Sequence, residues 1–282
     1  MNPLIQTALD RLADRRAQLM AADPAELMRV AGLPPDPWQA ELLRSVARQS
    51  LLLCTRQAGK STVTAALATH TALYTPESLV LLLSPSLRQS QELFRKVVDF
   101  YNAVGQPVAA DASTALKLEL SNGSRIVSLP GDEKTIRGFS GVRLLVVDEA
   151  ARVADSLYFS VRPMLAVSGG RMICLSTPFG KRGFFHDVWN GDSPDWQRVK
   201  ITAYDCPRIS RAFLDEERKA LGDYWFDQEY MCIFRETIDS VFSYDLIMSA
   251  ISDEVLPLFS LAPDGSSDVI SSEIAALIGD DA

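Results

Sequence analysis

The sequence predicts an α/β protein with a mainly parallel sheet flanked by helices. One observation is that short, continuous apolar runs recur through the centre of the chain. The other is that helical segments separate these runs, which is typical of parallel strands buried on both faces. The runs are Leu51–Cys54, Leu79–Ser84, Leu144–Val147 and Met172–Ser176.

Other elements are predicted around this core. Residues 2–48 have a helical apolar pattern with a proline-rich break at Leu33–Trp38. Leu116–Leu120 and Arg125–Leu129 flank an Asn-Gly turn and predict a hairpin at the sheet edge. A strand is expected over Trp196–Tyr204, followed by a small helix-rich C-terminal lobe.

These patterns divide the chain into four expected parts. Residues 1–35 form an N-terminal helical segment, and 36–205 form the α/β core. Residues 206–245 form a helical lobe or linker, and 246–282 form an acidic, partly flexible tail. Within the tail, Ala262–Ser272 predicts a linker and Ile274–Ile278 a short final helix.

Composition excludes several classes of protein. No apolar run approaches the roughly 20 residues of a membrane span, so we expect no membrane association. The N-terminus lacks the apolar stretch of a secretory signal, which favours a cytoplasmic setting. The four cysteines contain no Cys-x-x-Cys pair, and the two histidines are too few for a metal cluster.

The net charge of −8 argues against nucleic-acid binding until its distribution is considered. Residues 236–282 contain ten acidic residues and no basic residue, so the first 235 residues hold 28 basic and 26 acidic residues. The acidity therefore belongs to the tail, and a nearly neutral body neither supports nor excludes contact with DNA.

A phosphate-binding loop is predicted at Ala58-Gly-Lys-Ser-Thr62, which follows an apolar strand and precedes a helix over Val63–Leu73. Lys60 would bind the β and γ phosphates, and Ser61 would bind Mg²⁺. The full motif has glycine where this chain has Cys54. A chance Gly-Lys-Ser at a helix start remains the alternative.

A pair of acids, Asp148-Glu149, directly follows the apolar run Leu144–Val147. At the end of a buried strand, Asp148 would hold Mg²⁺ through water, and Glu149 would polarise the attacking water as a general base. The two elements together favour a P-loop NTPase fold and ATP hydrolysis. The alternative is an ordinary acidic turn after a strand.

Two weaker signals accompany these motifs. Ser176-Thr177 ends another apolar run, where hydroxyl groups can lie beside the γ-phosphate and report its presence, although a simple turn would give the same pattern. Upstream, Trp38 and Gln39 could offer an aromatic face and an amide to adenine. Their alternative role is a hydrophobic staple at the start of a helix over Ala40–Arg48.

The order of these motifs resembles the ATPase domain of the large terminase subunits of tailed bacteriophages, over residues 30–245. The motifs are Trp38-Gln39, Thr55–Ser61, Ser84–Ser90, Ile136-Arg-Gly138, Val146–Ala150 and Leu175–Pro178. A loop that lacks the first glycine is common in that family. The resemblance implies an ATP- and Mg²⁺-dependent motor, in the cytoplasm of a bacterial host, that drives double-stranded DNA into a capsid.

The resemblance also assigns roles to particular residues. Arg56 would be an arginine finger acting in cis, Glu149 and Lys60 would be catalytic, and Ser176 and Thr177 would couple hydrolysis to movement. Ser61 and Asp148 would hold the metal. Arg56 could instead brace the loop. The implied nucleotide-binding residues are Gln39, Thr55, Arg56, Gln57, Ala58, Gly59, Lys60, Ser61 and Thr62.

Partners follow from the resemblance as well: double-stranded DNA, a portal protein and a small terminase subunit. We expect a homo-oligomeric ring on the portal and a monomer in isolation. Residues 236–282 are too few for the nuclease domain of the family, so no nuclease activity is expected from this chain. Candidate DNA-contacting residues, which could equally be solvated surface charges, are Arg88, Arg95, Lys96, Arg137, Arg143, Lys181 and Arg182.

Two other functions remain open. A helicase-like, DNA-dependent ATPase would share Gln39, the phosphate loop and the acidic pair, but such enzymes generally need a second motor domain, which the sequence after residue 235 does not suggest. A catalytically idle prophage remnant could bind nucleotide or partners without turnover. Intact Lys60, Asp148 and Glu149 argue against that alternative.

Overall fold

A computed structural model describes residues 3–131, 136 and 138–236, and in the tail 246, 249–250, 260–261 and 267–268. Contacts between Cα atoms divide the chain into two compact units, residues 1–237 and 238–282. The domain boundaries expected at residues 35, 205 and 245 stay a prediction. Arg137, the helix over Ile274–Ile278 and most of the linker over Ala262–Ser272 lie outside the described residues.

The first unit is built on an eight-stranded sheet with the strand order β3-β4-β5-β2-β6-β7-β1-β8. All strands from β5 to β8 in this order run parallel, and β4 and β3 extend the sheet in antiparallel fashion. The strands are β1 (Gln49–Cys54), β2 (Leu79–Ser84), β3 (Ala110–Ser113), β4 (Lys117–Leu120), β5 (Arg125–Pro130), β6 (Val142–Asp148), β7 (Arg171–Ser176) and β8 (Trp196–Ile201).

The central strands are buried along almost their whole length, which explains why their sequences are continuously apolar. Every residue of β2 is buried, and β1 lies between β7 and β8 with Leu51 opposite Cys174 and Arg198. The predicted α/β class with a mainly parallel sheet is therefore confirmed.

Helices cover both faces of this sheet. Helices α1 to α5 contribute to an apolar cluster on one face, and α6 and α7 to a cluster on the other. Among the described residues the helices are α1 (Pro3–Ala22), α2 (Pro24–Val30), α3 (Pro37–Arg44), α4 (Lys60–Tyr74), α5 (Leu87–Ala103), α6 (Asp155–Val161), α7 (Gly183–Asn190) and α8 (Arg211–Glu229). No described helix is both long enough and apolar enough to cross a membrane.

The predicted hairpin forms from β4 and β5, which pair in antiparallel fashion across the Asn122-Gly123 turn. It does not lie at the sheet edge as expected, because β3 pairs with β4 on the outside. The Asn122 side-chain amide donates to the carbonyl of Ala72 at the end of α4, which ties the turn to the helix layer. Strand β3 was not predicted. Its residues are small or polar and fully exposed, so they carry no apolar alternation.

Two boundaries differ from the sequence-based expectations. Strand β8 ends at Ile201 rather than Tyr204, because the Thr202 hydroxyl donates to Asp205 Oδ2 at 2.6 Å and starts a short 3₁₀ turn. The expected helix over Ala40–Arg48 is α3, which begins earlier, at Pro37, and ends at Arg44.

The helix-rich lobe consists of the 3₁₀ turn Ala203–Asp205 and helix α8, which is interrupted at Gly222. Gly222 has φ 72° and ψ 165°, a conformation that only glycine adopts readily, so α8 is in effect a pair of short helices. Leu214 and Phe226, one from each part, pack with Ala203 into a small apolar cluster of their own. In the second unit, Ser260–Leu261 pairs in antiparallel fashion with Ser267–Asp268.

Candidate nucleotide-binding site

The predicted motifs meet at one edge of the sheet. Because β1, β6 and β7 are parallel neighbours, their carboxyl ends lie side by side. Strand β1 leads into the phosphate loop, β6 ends in Asp148, and β7 ends in Ser176. This edge is where ligands bind in open α/β sheets.

The phosphate loop turns sharply between β1 and α4. Gln57 has φ 62° and Gly59 has φ 85°, and α4 starts directly at Lys60. The positive φ of Gly59 favours glycine, and a Cβ atom there would lie 2.7 Å from Gln39 Nε2, so the Gln39 side chain would have to shift. The first turn of α4 leaves backbone N–H groups directed at this edge, which suits an anion.

The position of Cys54 in strand β1 explains why the loop lacks the first glycine of the motif. It is the last residue of β1, fully buried, and paired in register with Ile201 of β8. The Thr55 N–H continues the pairing by donating to the Ile201 carbonyl at 2.8 Å. A residue in a strand needs no positive φ, and burial raises the pKa of the Cys54 thiol far above its usual range, so the side chain acts as an apolar packing group.

The acidic pair lies directly opposite the loop. The Ser61 hydroxyl donates to Asp148 Oδ2 at 3.2 Å. Lys60 Nζ forms an ion pair with Glu149 Oε1 at 3.0 Å. Burial, with the negative charge of Glu149 as a second cause, raises the pKa of Asp148 to about 6. Glu149 itself has φ 51°, a left-handed conformation that is uncommon for non-glycine residues.

Three groups surround the Glu149 carboxylate. Besides Lys60, the Ser176 hydroxyl donates to Glu149 Oε2 at 3.5 Å, a long hydrogen bond, and Arg152 Nε lies 3.8 Å from the same oxygen. The Arg152 guanidinium also stacks over the Phe179 ring, 4.0 Å from its centroid. The end of β7 thus contacts the acid directly through Ser176, and the segment after it reaches the acid only through Arg152.

The oxygen atoms at this point suit Mg²⁺. The Ser61 hydroxyl and the Asp148 carboxylate are hard donors within hydrogen-bonding distance of each other, and one or two carboxylates beside substrate phosphates are what Mg²⁺ usually takes. These two residues fit the metal and could hold it.

The Gln39 side chain forms hydrogen bonds to the phosphate loop and to the start of α3. Its Nε2 donates to the carbonyls of Gly59 at 3.3 Å and Ala58 at 3.5 Å, and its Oε1 accepts from the Asp36 N–H at 2.9 Å. The side chain therefore links the start of α3 to the phosphate loop. It also lines the cleft, and its contact with adenine stays a prediction.

Three residues at the site carried no signal in the sequence: Glu229, Arg208 and Arg152. Arg56, the predicted finger, forms an ion pair with Glu229 at the end of α8, and the Thr55 hydroxyl donates to the Glu229 carbonyl at 2.8 Å. Arg208 donates to the Ala58 carbonyl at 3.1 Å and to Asp36 at 2.8 Å. Arg152 is the third. Glu229 and Arg208 come from segments with no local motif and reach the loop only through the fold. Arg152 lies three residues after Glu149, and no feature of the sequence marked it.

Together these groups border an open cleft of about 740 Å³. The predicted residues that line it are Gln39, Arg56, Gln57, Gly59, Lys60, Ser61, Thr62 and Glu149. Thr55, Ala58, Asp148, Ser176 and Thr177 are buried. Of the predicted DNA-contacting residues, Lys96 lines this cleft, Lys181 pairs with Glu236, and Arg88, Arg95, Arg143 and Arg182 are exposed.

Comparison with known proteins identifies the family. The family model described as "Terminase large subunit, T4likevirus-type, N-terminal" matches residues 51–249, so the chain belongs to that family. Among curated proteins, the terminase large subunit of Thermus virus P23-45 is 24% identical over 253 residues, covering 77% of this chain and 52% of that protein. The large subunit of Escherichia phage T5 is 24% identical over 185 residues, covering 64% of this chain and 42% of its own length.

Solved structures share the fold. The large terminase ATPase domain of Thermus phage P74-26 has a TM-score of 0.66 at 22% identity and covers 74% of this chain and 97% of its own. The large terminase of a thermophilic bacteriophage, solved in complex with ADP, has a TM-score of 0.60 at 12% identity and covers 71% of this chain and 54% of its own. The P-loop NTPase fold is thereby confirmed. The chain spans about half the length of the P23-45 relative that it matches.

Proposed function

We propose that this chain is the ATP-hydrolysing motor part of a machine that drives double-stranded viral DNA into a capsid. One observation carries the proposal: Lys60, Ser61, Asp148 and Glu149 meet at the carboxyl edge of a parallel sheet, in a chain of the large-terminase family. P-loop motors bind and hydrolyse ATP at such an edge.

Lys60 would bind the phosphates of ATP, and Glu149 would activate the attacking water. Each neutralises the other across 3.0 Å. The β and γ phosphates of ATP compete for the Lys60 ammonium, because they carry more negative charge than one carboxylate. Glu149 is then released to accept a proton from the attacking water, while Ser176 and Arg152 keep its carboxylate oriented.

Ser61 and Asp148 would hold Mg²⁺, which neutralises phosphate charge when it is bound. The hydrogen bond between them keeps hydroxyl and carboxylate on the same side of the loop. Burial at this point disfavours an uncompensated negative charge, which raises the pKa of Asp148, and a cation would relieve that cost.

Arg56 would act as an arginine finger after exchanging its partner. It is now paired with Glu229, and its side chain is still 62% exposed. The γ-phosphate of a bound nucleotide offers the guanidinium a more highly charged partner at short range. We propose that nucleotide draws Arg56 from Glu229, which would change the contact between loop and lobe in each cycle.

Ser176 and Thr177 would couple the state of the nucleotide to movement. The Ser176 hydroxyl contacts the Glu149 carboxylate, and Thr177 is buried beside it. A change in the partners of Glu149 therefore alters a contact at the end of β7. Two-state contacts of this kind are how nucleotide-dependent switches transmit the loss of a γ-phosphate.

The partners proposed are double-stranded DNA, a portal protein and a small terminase subunit, with copies of the chain arranged as a ring on the portal in the cytoplasm of a bacterial host. Of the described candidates for DNA contact, Arg88, Arg95, Arg143 and Arg182 are exposed, and Lys96 and Lys181 are half-buried. Contacts with phosphates would make DNA binding weaken steeply as the salt concentration rises.

Steady-state hydrolysis of ATP, with and without linear duplex DNA, tests this proposal. We expect Mg²⁺-dependent turnover, and a loss of ATP affinity of about 10- to 100-fold in Lys60→Ala, because a charge-assisted bond to phosphate is removed. Lys117→Ala, which removes a lysine on β4 that pairs with Glu119, is the matched control and should bind ATP normally. Normal binding of ATP by Lys60→Ala would refute the phosphate-loop assignment.

The two alternatives predict other outcomes. A helicase-like ATPase would separate the strands of a forked duplex, whereas a packaging motor would move along duplex DNA without unwinding it. An idle remnant would bind ATP and show no turnover above that of Lys60→Ala. Unwinding would favour the helicase-like ATPase over the proposal, and absent turnover would favour the idle remnant.

A further inference from the structure

The amino edge of the sheet, opposite the edge that carries the phosphate loop, holds a cluster of three arginines. Arg48 directly precedes β1, Arg171 is the first residue of β7, and Arg143 is the second residue of β6. These strands are neighbours: the Met172 N–H donates to the Arg48 carbonyl at 2.8 Å, and Arg171 lies opposite Leu144. Since neighbouring strands lie about 4.8 Å apart, the three arginines begin within about 10 Å of one another.

The backbone around these strand starts holds the arginine side chains in place. Arg171 Nε donates to the carbonyl of the residue before Arg48 at 3.1 Å. Arg143 Nη1 donates to the Ser168 carbonyl at 3.5 Å, a long hydrogen bond. A Cβ atom at Gly169 would lie 3.8 Å from Arg48 Nη2, so this guanidinium lies beside bare backbone. Two of the three guanidinium groups are thus anchored at the edge, which lowers the entropy cost of holding them for a ligand.

Two cavities meet at the cluster, with volumes of about 460 and 220 Å³. Arg48 and Gly169-Gly170 line both of them. The other two arginines of the cluster line the larger cavity, and Arg162 lines the smaller one. No Asp or Glu is among the described residues that line either cavity. The edge therefore offers positive charge and exposed backbone without a competing carboxylate.

The positive charge of the cluster is not neutralised within the part of the chain that the structure describes. Neither its three arginines nor Arg162 forms an ion pair with a described residue, whereas the exposed Arg44 pairs with Asp23 at 2.6 Å. Arg171 Nη2 is buried with no hydrogen-bond partner among the described residues, and burial lowers the pKa of this guanidinium. Because a charge held away from water without a counterion is costly, a bound anion would stabilise this edge.

The extent of the cluster suits the phosphates of duplex DNA. Guanidinium groups bind phosphate oxygens through two parallel hydrogen bonds. Three arginines spread over about 10 Å are more than one small phosphate can contact, whereas each DNA strand carries a charge about every 3.4 Å along the helix axis. Arg48 and Arg143 are exposed, so a long, rigid ligand can reach them. Charge and extent together favour a DNA backbone.

We propose that the amino edge of the sheet binds the phosphate backbone of duplex DNA, with Arg48 and Arg143 as direct contacts and Arg171 as an added charge behind them. This inference rests on the proposed function, in which duplex DNA is the ligand that the motor moves. Strands β1 and β7 have six residues each, so DNA would bind about 20 Å from the phosphate loop. The same strands would connect the DNA to the phosphate loop and to Ser176.

Fluorescence anisotropy of labelled duplex DNA, titrated with the full chain at several salt concentrations, tests the site. Each phosphate contact adds about 0.9 to the steepness of log K against log salt, because binding releases counterions. We expect Arg48→Ala and Arg143→Ala each to lower this steepness by about one, and the double variant by about two. Arg48→Lys keeps the positive charge and should keep the slope.

A matched control separates this site from a general loss of positive charge. Arg29→Ala removes another exposed arginine, on α2, which pairs with Glu26, and should bind DNA with the slope of the wild type. ATP affinity, measured on the same preparations, should be unchanged in every variant, because the cluster and the phosphate loop lie at opposite edges of the sheet.

The results distinguish the site from the proposed function. Unchanged salt slopes in both Arg48→Ala and Arg143→Ala would refute the site, and DNA binding by the wild type would leave the proposed function standing. If these variants lost binding of inorganic tripolyphosphate or polyglutamate but bound DNA normally, the cluster would serve another anion and the inference would be wrong. If the wild type neither bound duplex DNA nor hydrolysed ATP, the proposed function itself would fail, and the DNA site with it.

Discussion

Lys60 Nζ and Glu149 Oε1 lie 3.0 Å apart, so the residue that would bind phosphate is neutralised by the residue that would activate water. Their side chains are only 10% and 21% exposed, and solvent screens the pair weakly. An ion pair of this kind keeps both charges compensated while the cleft is open to water. We then expect the phosphates of ATP to replace Glu149 as the partner of Lys60, so that the Lys60 ammonium is never left unpaired.

The Arg56–Glu229 ion pair allows the finger and brace roles of Arg56 to be distinguished. We expect Arg56→Ala to lower kcat about 10³-fold, because an arginine finger stabilises charge in the transition state. Glu229→Gln removes the same ion pair but keeps the guanidinium, so its kcat should stay near that of the wild type. Equal losses in the two variants, measured by steady-state hydrolysis, would show that Arg56 only braces the loop.

Ser176 should affect turnover more than binding. Its hydroxyl contacts Glu149 Oε2 at 3.5 Å, and a bond this long contributes less than a short charge-assisted one. We expect Ser176→Ala to lower kcat about three- to tenfold with KM unchanged. Ser50→Ala is the control, since Ser50 is also buried but bonds Gln197. A raised KM with normal kcat would refute the role of Ser176 in orienting Glu149.

Gly59 and Gly105 provide a matched pair, because both have φ 85°. A Cβ atom at Gly59 would lie 2.7 Å from Gln39 Nε2, whereas one at Gly105 would have no atom within 4 Å. Both substitutions to Ala should lower the free energy of unfolding by about 1 kcal/mol or more through the left-handed backbone. Only Gly59→Ala should weaken ATP binding, because the displaced Gln39 side chain loses its hydrogen bonds to the loop. Retained binding in Gly59→Ala would contradict the close packing of Gln39 on the loop.

His70 should make stability depend on pH. Burial lowers its pKa below the usual 6.5, although its Nε2 lies 2.9 Å from the Met20 carbonyl in a hydrogen bond. The unfolded chain then takes up a proton more readily than the folded chain, so stability is complete above pH 6.5 and falls as pH drops below it. Thermal unfolding of His70→Gln should lose this part of the acid dependence. An unchanged pH profile would show that His70 is not the responsible group.

The sequence was sufficient for the buried parallel strands and for the residues that follow their carboxyl ends. Continuous apolar runs mark buried parallel strands, and the carboxyl ends of such strands lie on one edge, so Lys60, Asp148 and Ser176 could be brought together without coordinates. Strand β3 was missed because its exposed residues carry no such pattern.

The contacts that hold the loop could not be predicted. Arg208 reaches the Ala58 carbonyl from 150 positions along the chain, and Glu229 reaches Arg56 from 173 positions. Neither residue has a local motif, because its contact with the phosphate loop depends on how the lobe packs against β1 and β8. Gln39 shows the converse case: the sequence identified the residue, but its hydrogen bonds to the loop required the structure.

The most direct measurement is the rate of ATP hydrolysis by Glu149→Gln, with ATP affinity measured on the same preparation. Glutamine keeps the size of the side chain but cannot accept the proton of the attacking water. We predict that kcat falls about 10²- to 10⁴-fold while ATP binds at least as tightly as to the wild type, because Lys60 no longer has a competing carboxylate. Hydrolysis at the wild-type rate would contradict the catalytic account.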